Sequence, residues 1–190
     1  MNRTLSAEGA STLVEAVRER RSLLVAAVPR MAGKSTVLRA ALDAGGASVH
    51  ELSREQPDLG IPPAVDDSYL LVSEFAPTPF ADYLWGDDLR RVFDAVETGF
   101  PLGATLHAPD AANAFGILGQ WNGVPDAQAS KIGLFVQIRV LGPWWDPERR
   151  VVASIERVDG VSGGRPATTA LHRWIEAEDR FETLPASSEP

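Results

Sequence analysis

Cysteine is absent from all 190 residues, which excludes disulfide bridges and thiolate-bound zinc and agrees with a reducing compartment. An excess of basic charge is also missing. The formal net charge is −8 and the isoelectric point is near 4.9, so nucleic acid is not expected as the main partner, because phosphate-backbone binding needs a basic face. Long hydrophobic runs do not occur either. The longest, Leu23 to Val28, is far too short to span a bilayer, and the first 21 residues mix charge throughout where a signal peptide would carry an apolar core. These absences lead to the expectation of a cytoplasmic protein with no transmembrane segment. There is no internal repeat. What the chain does have is 44% apolar content, enough to bury one substantial core, so a single domain is expected over residues 1–184. Residues 185–190 are polar and proline-flanked and are expected to form a disordered tail.

The most informative segment is LLVAAVPRMAGKST, Leu23 to Thr36, in which an apolar strand-like run leads into Gly33-Lys34-Ser35-Thr36. That is the phosphate-gripping half of the P-loop pattern G-x-x-x-x-G-K-[ST], with Val28 where the pattern has its first glycine. The N–H groups of Met31 to Ser35 would open a helix, and a helix N-terminus offers unpaired donors and positive dipole to bound phosphate. Lys34 is expected to face ligand rather than core and to reach the β- and γ-phosphates. The Ser35 hydroxyl would complete the shell of a Mg²⁺ ion. The competing reading is an ordinary helix capped by small polar residues. A valine at position 28 tolerates positive φ poorly, so the loop is expected to be reshaped or strained there.

Along its length the chain alternates strand and helix patterns, as in α/β proteins whose mainly parallel sheet is covered on both faces. Leu13, Val14 and Val17 mark a first amphipathic helix, Leu23 to Val28 a strand, and Lys34 to about Ala44 a helix closed by Gly45-Gly46. Ser48 to Leu52 reads as a short strand, Ser53 to Asp67 as a loop, and Tyr69 to Val72 as a strand ending at Ser73-Glu74. Phe80, Tyr83, Leu84, Leu89, Val92, Phe93 and Val96 recur at helical spacing, with a restart after Gly86 and an end at Gly99. Leu102 to Leu106 is a strand, and Asp110 caps a helix through Leu118. Leu134 to Val140 and Val151 to Val158 are successive strands joined by a turn over Gly142 to Arg150, and a last strand covers Ala170 to Ile175.

Ligands of open α/β sheets sit at the carboxyl ends of the strands. Glu51, Glu74 and His107 fall at such ends and are the candidate catalytic residues. An acid there would orient or deprotonate an attacking water and, in the case of Glu74, support Mg²⁺ together with Ser35, while a histidine could touch the γ-phosphate. For Glu51 an exposed loop acid is an equally good reading, and for His107 a buried histidine satisfied by backbone.

The segment Thr98 to Ala111, TGFPLGATLHAPDA, resembles the histidine box of the secretion-system and type IV pilus motor ATPases. Leu70-Leu71-Val72-Ser73-Glu74 is similar to that family's Walker B strand. Phe135 to Leu141 and Arg149 to Val158 resemble its Q-x-R strand pair, and the order and spacing agree from about residue 10 to residue 182. The resemblance implies a RecA-like P-loop NTPase, a three-layer fold with antiparallel C-terminal strands. It further implies binding and Mg²⁺-dependent hydrolysis of ATP in a hexameric ring that works with secretion or pilus machinery at the cytoplasmic face of the membrane. Pro29 matches the family loop, so the nucleotide-binding candidates are Pro29, Arg30, Met31, Ala32, Gly33, Lys34, Ser35 and Thr36. Glu51 is the best match to the family's acidic-box glutamate, with Arg54 nearby.

The chain departs from the family in four ways: one glycine in the loop where the family has three, Phe100 for the first histidine of the box, a shorter stretch before Glu74, and no match to the family's N-terminal domain. Arg139, Arg149, Arg150 and Arg157 are expected to complete the site of an adjacent protomer or else to be solvated edge charges. The alternatives are a non-hydrolysing nucleotide-binding subunit or regulator of the same fold, and a small nucleotide or metabolite kinase.

Overall fold

The computed structural model describes residues 4–143 and 145–184; the tail expected over 185–190 lies outside them. Ser6 caps the first helix, α1 (Ala7–Arg18), accepting from the Gly9 N–H at 3.0 Å, and Leu13, Ala16 and Val17 bury one face of it. Strand β1 (Ser22–Val28) is buried at every position but Val28. Then come α2 (Lys34–Gly45), β2 (Val49–Glu51), β3 (Tyr69–Phe75), a two-residue β4 (Tyr83–Leu84), α3 (Asp87–Thr98), β5 (Leu102–Leu106), α4 (Ala111–Gly116) and α5 (Asp126–Ala129). The chain closes with β6 (Ile132–Leu141), β7 (Arg149–Ser162), β8 (Arg165–Ile175) and β9 (Arg180–Thr183).

These strands form one sheet in the order β2-β3-β5-β1-β6-β7-β8-β9, with β4 also on β3. The pairings from β2 through β6 are parallel, and those from β6 to β9 are antiparallel. This is the α/β class expected, with the antiparallel strands at the C-terminal end. The reason is in the side chains of the central strands, which are apolar at consecutive positions because both faces of a parallel sheet are covered. In β3, Leu70 and Val72 point into a core formed with α3 through Leu89, Val92, Phe93 and Val96. Tyr69 and Leu71 point the other way, to Leu38 and Leu42 of α2 and Leu13 and Val17 of α1. The Tyr69 hydroxyl donates to the Arg21 carbonyl at 2.8 Å and lies 3.2 Å from that of Val17, fastening α1 to the sheet.

The helix expected from Phe80 starts only at Asp87. Tyr83 and Leu84 are instead the strand β4, paired with Glu74 and Phe75. Three-residue β2 covers only the first part of the β3 edge, Tyr69 to Leu71, and β4 pairs with what remains. Unpaired backbone at a buried edge is costly enough to override a helical spacing of side chains. The late strands are longer than expected: β8 begins at Arg165, after a turn at Gly163-Gly164 with φ of 58° and 71°, the positive values that tight hairpins require.

Candidate functional site

β1 lies between β5 and β6, and the chain leaves its carboxyl end through residues 29–33 to start α2. The Val28–Pro29 peptide is cis. Val28 is not among the residues with positive φ; the loop places that burden on Met31, at 60°, and Gly33, at 90°. Of the two outcomes expected at Val28, a reshaped loop or a strained one, the loop is reshaped, with its left-handed backbone at Met31 and Gly33 in place of Val28. Gly33 is the residue before the first turn of α2 and no side chain caps that turn, so its N–H groups and dipole face outward. A side chain at position 33 would meet the Arg150 Cδ at 3.3 Å in a left-handed backbone, which is why glycine is needed there.

Lys34, the first residue of α2, is expected to face ligand rather than core; it lines the cavity over this site, yet it is only 5% exposed and so is part of the interior as well. Its Nζ lies 3.3 Å from Glu74 Oε2 and 3.5 Å from both ring nitrogens of His107. Burial holds the Lys34 pKa below its ordinary value, against a smaller upward pull from Glu74. Glu74 is held near the end of β3 by Thr105 of neighbouring β5, whose hydroxyl donates to the Ser73 carbonyl at 2.6 Å and lies 3.4 Å from Glu74 Oε2. Its other oxygen, Oε1, is buried and 2.7 Å from His107 Nε2, a close approach without hydrogen-bond alignment. His107, just past β5, reaches the Ala27 carbonyl through Nδ1 at 3.3 Å. Its pKa is lowered by burial and then by the Lys34 charge, against the pull of Glu74.

A cavity of about 930 Å³ opens over these groups. Arg30, Met31, Ala32, Gly33, Lys34, Ser35, Thr36, Glu74 and His107 all line it, so the structure gathers these sequence candidates in one place. Pro29 is in the loop but is not part of the wall. Glu51 is not brought in: its side chain is exposed and its Oε1 accepts from Arg39 at 2.7 Å. Arg54, beside it in the sequence reading, binds Asp88 at 2.9 Å and the Thr78 carbonyl at 3.0 Å.

Among the wall residues that the sequence reading did not place in this chain's own site are Tyr83, Arg149 and Arg150. Tyr83 arrives on β4. Arg149 and Arg150, expected across a subunit border, line the cavity of their own chain. The pairing of Val28 with Arg139, and of Arg139 with Val151 across the β6–β7 hairpin, carries them there. The sequence carried part of the signal, since an antiparallel return brings the first residues of the next strand back to the carboxyl end of β6; that β6 lies beside β1 is set by the tertiary pairing. Arg139 and Arg157 do not reach the cavity and are ion-paired to Glu176 and Asp159.

A carboxylate, an ammonium and an imidazole thus meet beside an uncapped helix start, an arrangement suited to anion binding and proton handling. No family model matches the sequence, and no curated protein matches it. Among solved structures the chain is similar to the VirB11 ATPase from the Brucella suis type IV secretion system, with a TM-score of 0.52, 15% identity, and coverage of 77% of this chain and 51% of that one. It is likewise similar to the Legionella pneumophila ATPase DotB, with a TM-score of 0.51, 16% identity, and coverage of 74% and 46%. The chain therefore spans about half the length of each, and the likeness is one of fold.

Proposed function

We propose that this chain binds ATP with Mg²⁺ at the cavity over Lys34 and hydrolyses it, as an ATPase domain of the secretion type. The observation that carries the reading is the convergence of Lys34, Glu74 and His107 on a glycine-ended loop at the carboxyl ends of β1, β3 and β5, in a fold shared with two ATPases. The site fits a metal–phosphate group on two grounds. Glu74 Oε1 is a buried carboxylate oxygen approached by His107 Nε2 but with no aligned hydrogen bond, and no side chain caps the N–H groups that open α2 after Gly33. Ser35 and Glu74 would hold the Mg²⁺, which when bound neutralises phosphate charge.

The protein's own groups then act as follows. The loop N–H groups and Lys34 bind the phosphates, for which Lys34 exchanges its Glu74 partner for phosphate oxygens. Glu74, released from that ion pair, orients a water and accepts its proton as the water attacks the terminal phosphorus and the bond from that phosphorus to the bridging oxygen breaks, with ADP as the leaving group and inorganic phosphate as the other product. His107, a third exposed at the mouth, contacts the terminal phosphate. A cytoplasmic ring assembled with secretion machinery is part of the same reading.

A second reading, a nucleotide-binding subunit that does not hydrolyse, is favoured by one observation. The direct Lys34–Glu74 ion pair occupies both the phosphate ligand and the base. Titration with Mg-ATP and a phosphate-release assay separate the two. Glu74→Gln is expected to keep nucleotide affinity and lower turnover by a factor on the order of 10² to 10⁴. Lys34→Met is expected to lose affinity by roughly tenfold or more. Binding without phosphate release by the wild-type chain supports the second reading, and no binding at all rejects both.

A further inference from the structure

We propose that two arginines of the same chain, Arg30 and Arg150, clamp the bound polyphosphate from the cavity that both of them line, so that the site holds its phosphate-binding cations without a neighbouring subunit. The inference rests on the nucleotide reading above. Arg150, the second residue of β7, reaches 119 positions back in sequence, and its Nε donates to the Met31 carbonyl at 3.0 Å. Its Cδ lies over the bare face of Gly33. One guanidinium N–H and the stem are thereby committed to the loop, and among the described residues neither terminal NH₂ group of Arg150 has a hydrogen-bond or ion-pair partner. Those two groups stand beside the loop N–H groups that open α2. Its neighbour Arg149 lines the same wall but is engaged differently, donating to Asp179 at 2.7 Å and lying 5.8 Å from the Trp174 ring centroid.

Arg30 lies on the side of the cavity that carries His107. It is exposed, has no hydrogen bond or ion pair among the described residues, and its charge acts on Lys34, His107 and Tyr83. It also lines a second cavity of about 690 Å³ on the far side of His107. An arginine presents planar, fixed donors that match phosphate oxygens and keeps its charge at any working pH. The two positions differ in which phosphate they face. Arg30 shares its side of the cavity with His107 and its neighbour Glu74, where the terminal phosphate reacts. Arg150 lies against the Met31–Gly33 backbone, which grips the inner phosphates.

The test is titration of fluorescent ATP and ADP analogues with Mg²⁺ against wild type, Arg30→Gln and Arg150→Met, at a protein concentration where sizing shows a monomer. Methionine keeps the aliphatic stem over Gly33 and deletes only the guanidinium, and melting curves of each variant verify the fold. Arg150→Met is expected to weaken both nucleotides by roughly tenfold, the effect of a lost charge-assisted contact. Arg30→Gln is expected to weaken the triphosphate by a similar factor and to leave the diphosphate within about twofold, which lowers the ATP-to-ADP preference. A structural role for either residue would change both affinities and the melting point together, and would overturn the clamp. Wild-type binding with unchanged affinities in both variants overturns it as well, while leaving the nucleotide site standing. An arginine effect that vanishes in the monomer and returns only in a larger species assigns the residues to a neighbour's site and overturns the cis arrangement. Failure of the wild-type chain to bind either nucleotide removes the underlying reading and the clamp with it.

Discussion

At the scale of single residues, Lys34 shows how burial alters what a motif residue does. Its ammonium and the Glu74 carboxylate are both nearly withdrawn from solvent, at 5% and 6% exposure, and each is the other's main compensation. Removing one partner leaves an unpaired buried charge, a change that typically costs about 3–5 kcal/mol, whereas removing both spares that penalty. Lys34→Met is therefore expected to lower the unfolding free energy by about 3–5 kcal/mol, and the pair Lys34→Met with Glu74→Gln to lower it by much less than the sum of the singles. Denaturant melts of the four proteins in the cycle measure this. Additive losses would show that the two charges are solvated independently. The same geometry corrects the expectation that Lys34 serves ligand alone: without nucleotide it is part of the interior.

Between elements, the contact of α1 with the late strands contains a second buried titratable group. His172 of β8 is fully buried and packs against the backbone of α1 at Gly9 and against the Phe181 ring. Its Nδ1 lies 3.4 Å from the Thr183 hydroxyl, and its Nε2 has no hydrogen-bond partner. Burial lowers its pKa below the ordinary value of 6.5, against a weaker opposing pull from Glu8. Between the folded and unfolded values the unfolded chain binds more protons than the folded one. Stability is therefore complete above about pH 6.5 and declines as the pH falls through that window. Thermal melts from pH 7.5 to 5 are expected to show this decline, and His172→Gln to flatten it. His107 adds a share in the same direction, reduced by its greater exposure. A slope that is the same in the variant would place the acid sensitivity elsewhere.

For the molecule as a whole, large apolar side chains are exposed beside the charged site: Met31 on the wall of the Lys34 cavity, at 83%, and Trp121 on the wall of the cavity that shares Arg30 and His107 with it, at 72%. Large exposed side chains beside one site fit an association surface better than a solvated face. Under the proposed ring assembly, Mg-ATP is expected to shift the sized species upward. Trp121→Arg is expected to abolish that shift and leave monomer affinity within about twofold, since the ring packs edge-on against Trp85 outside the Lys34 cavity. A larger species that survives Trp121→Arg, or none with nucleotide in the wild type, would remove this face from the assembly.

Local pattern was enough to establish the α/β class, the segment Leu23 to Thr36 as strand, loop and helix, and Glu74 and His107 as strand-end candidates. The reason is that consecutive apolar residues and a glycine before a helix act over a few positions. Sequence alone did not decide which distant segments meet there. β4 replaced a helical turn because the β3 edge needed a partner. Glu51, although also near a strand end, went to Arg39 because β2 is the edge strand, three places from β1. Arg150 entered the cavity through the register of β1, β6 and β7, and Lys34 became interior because β3 and β5 delivered Glu74 and His107 to the same point. Each of these outcomes depends on pairing between residues far apart in the chain, where small shifts of register move whole side-chain sets, and that information is set by tertiary packing.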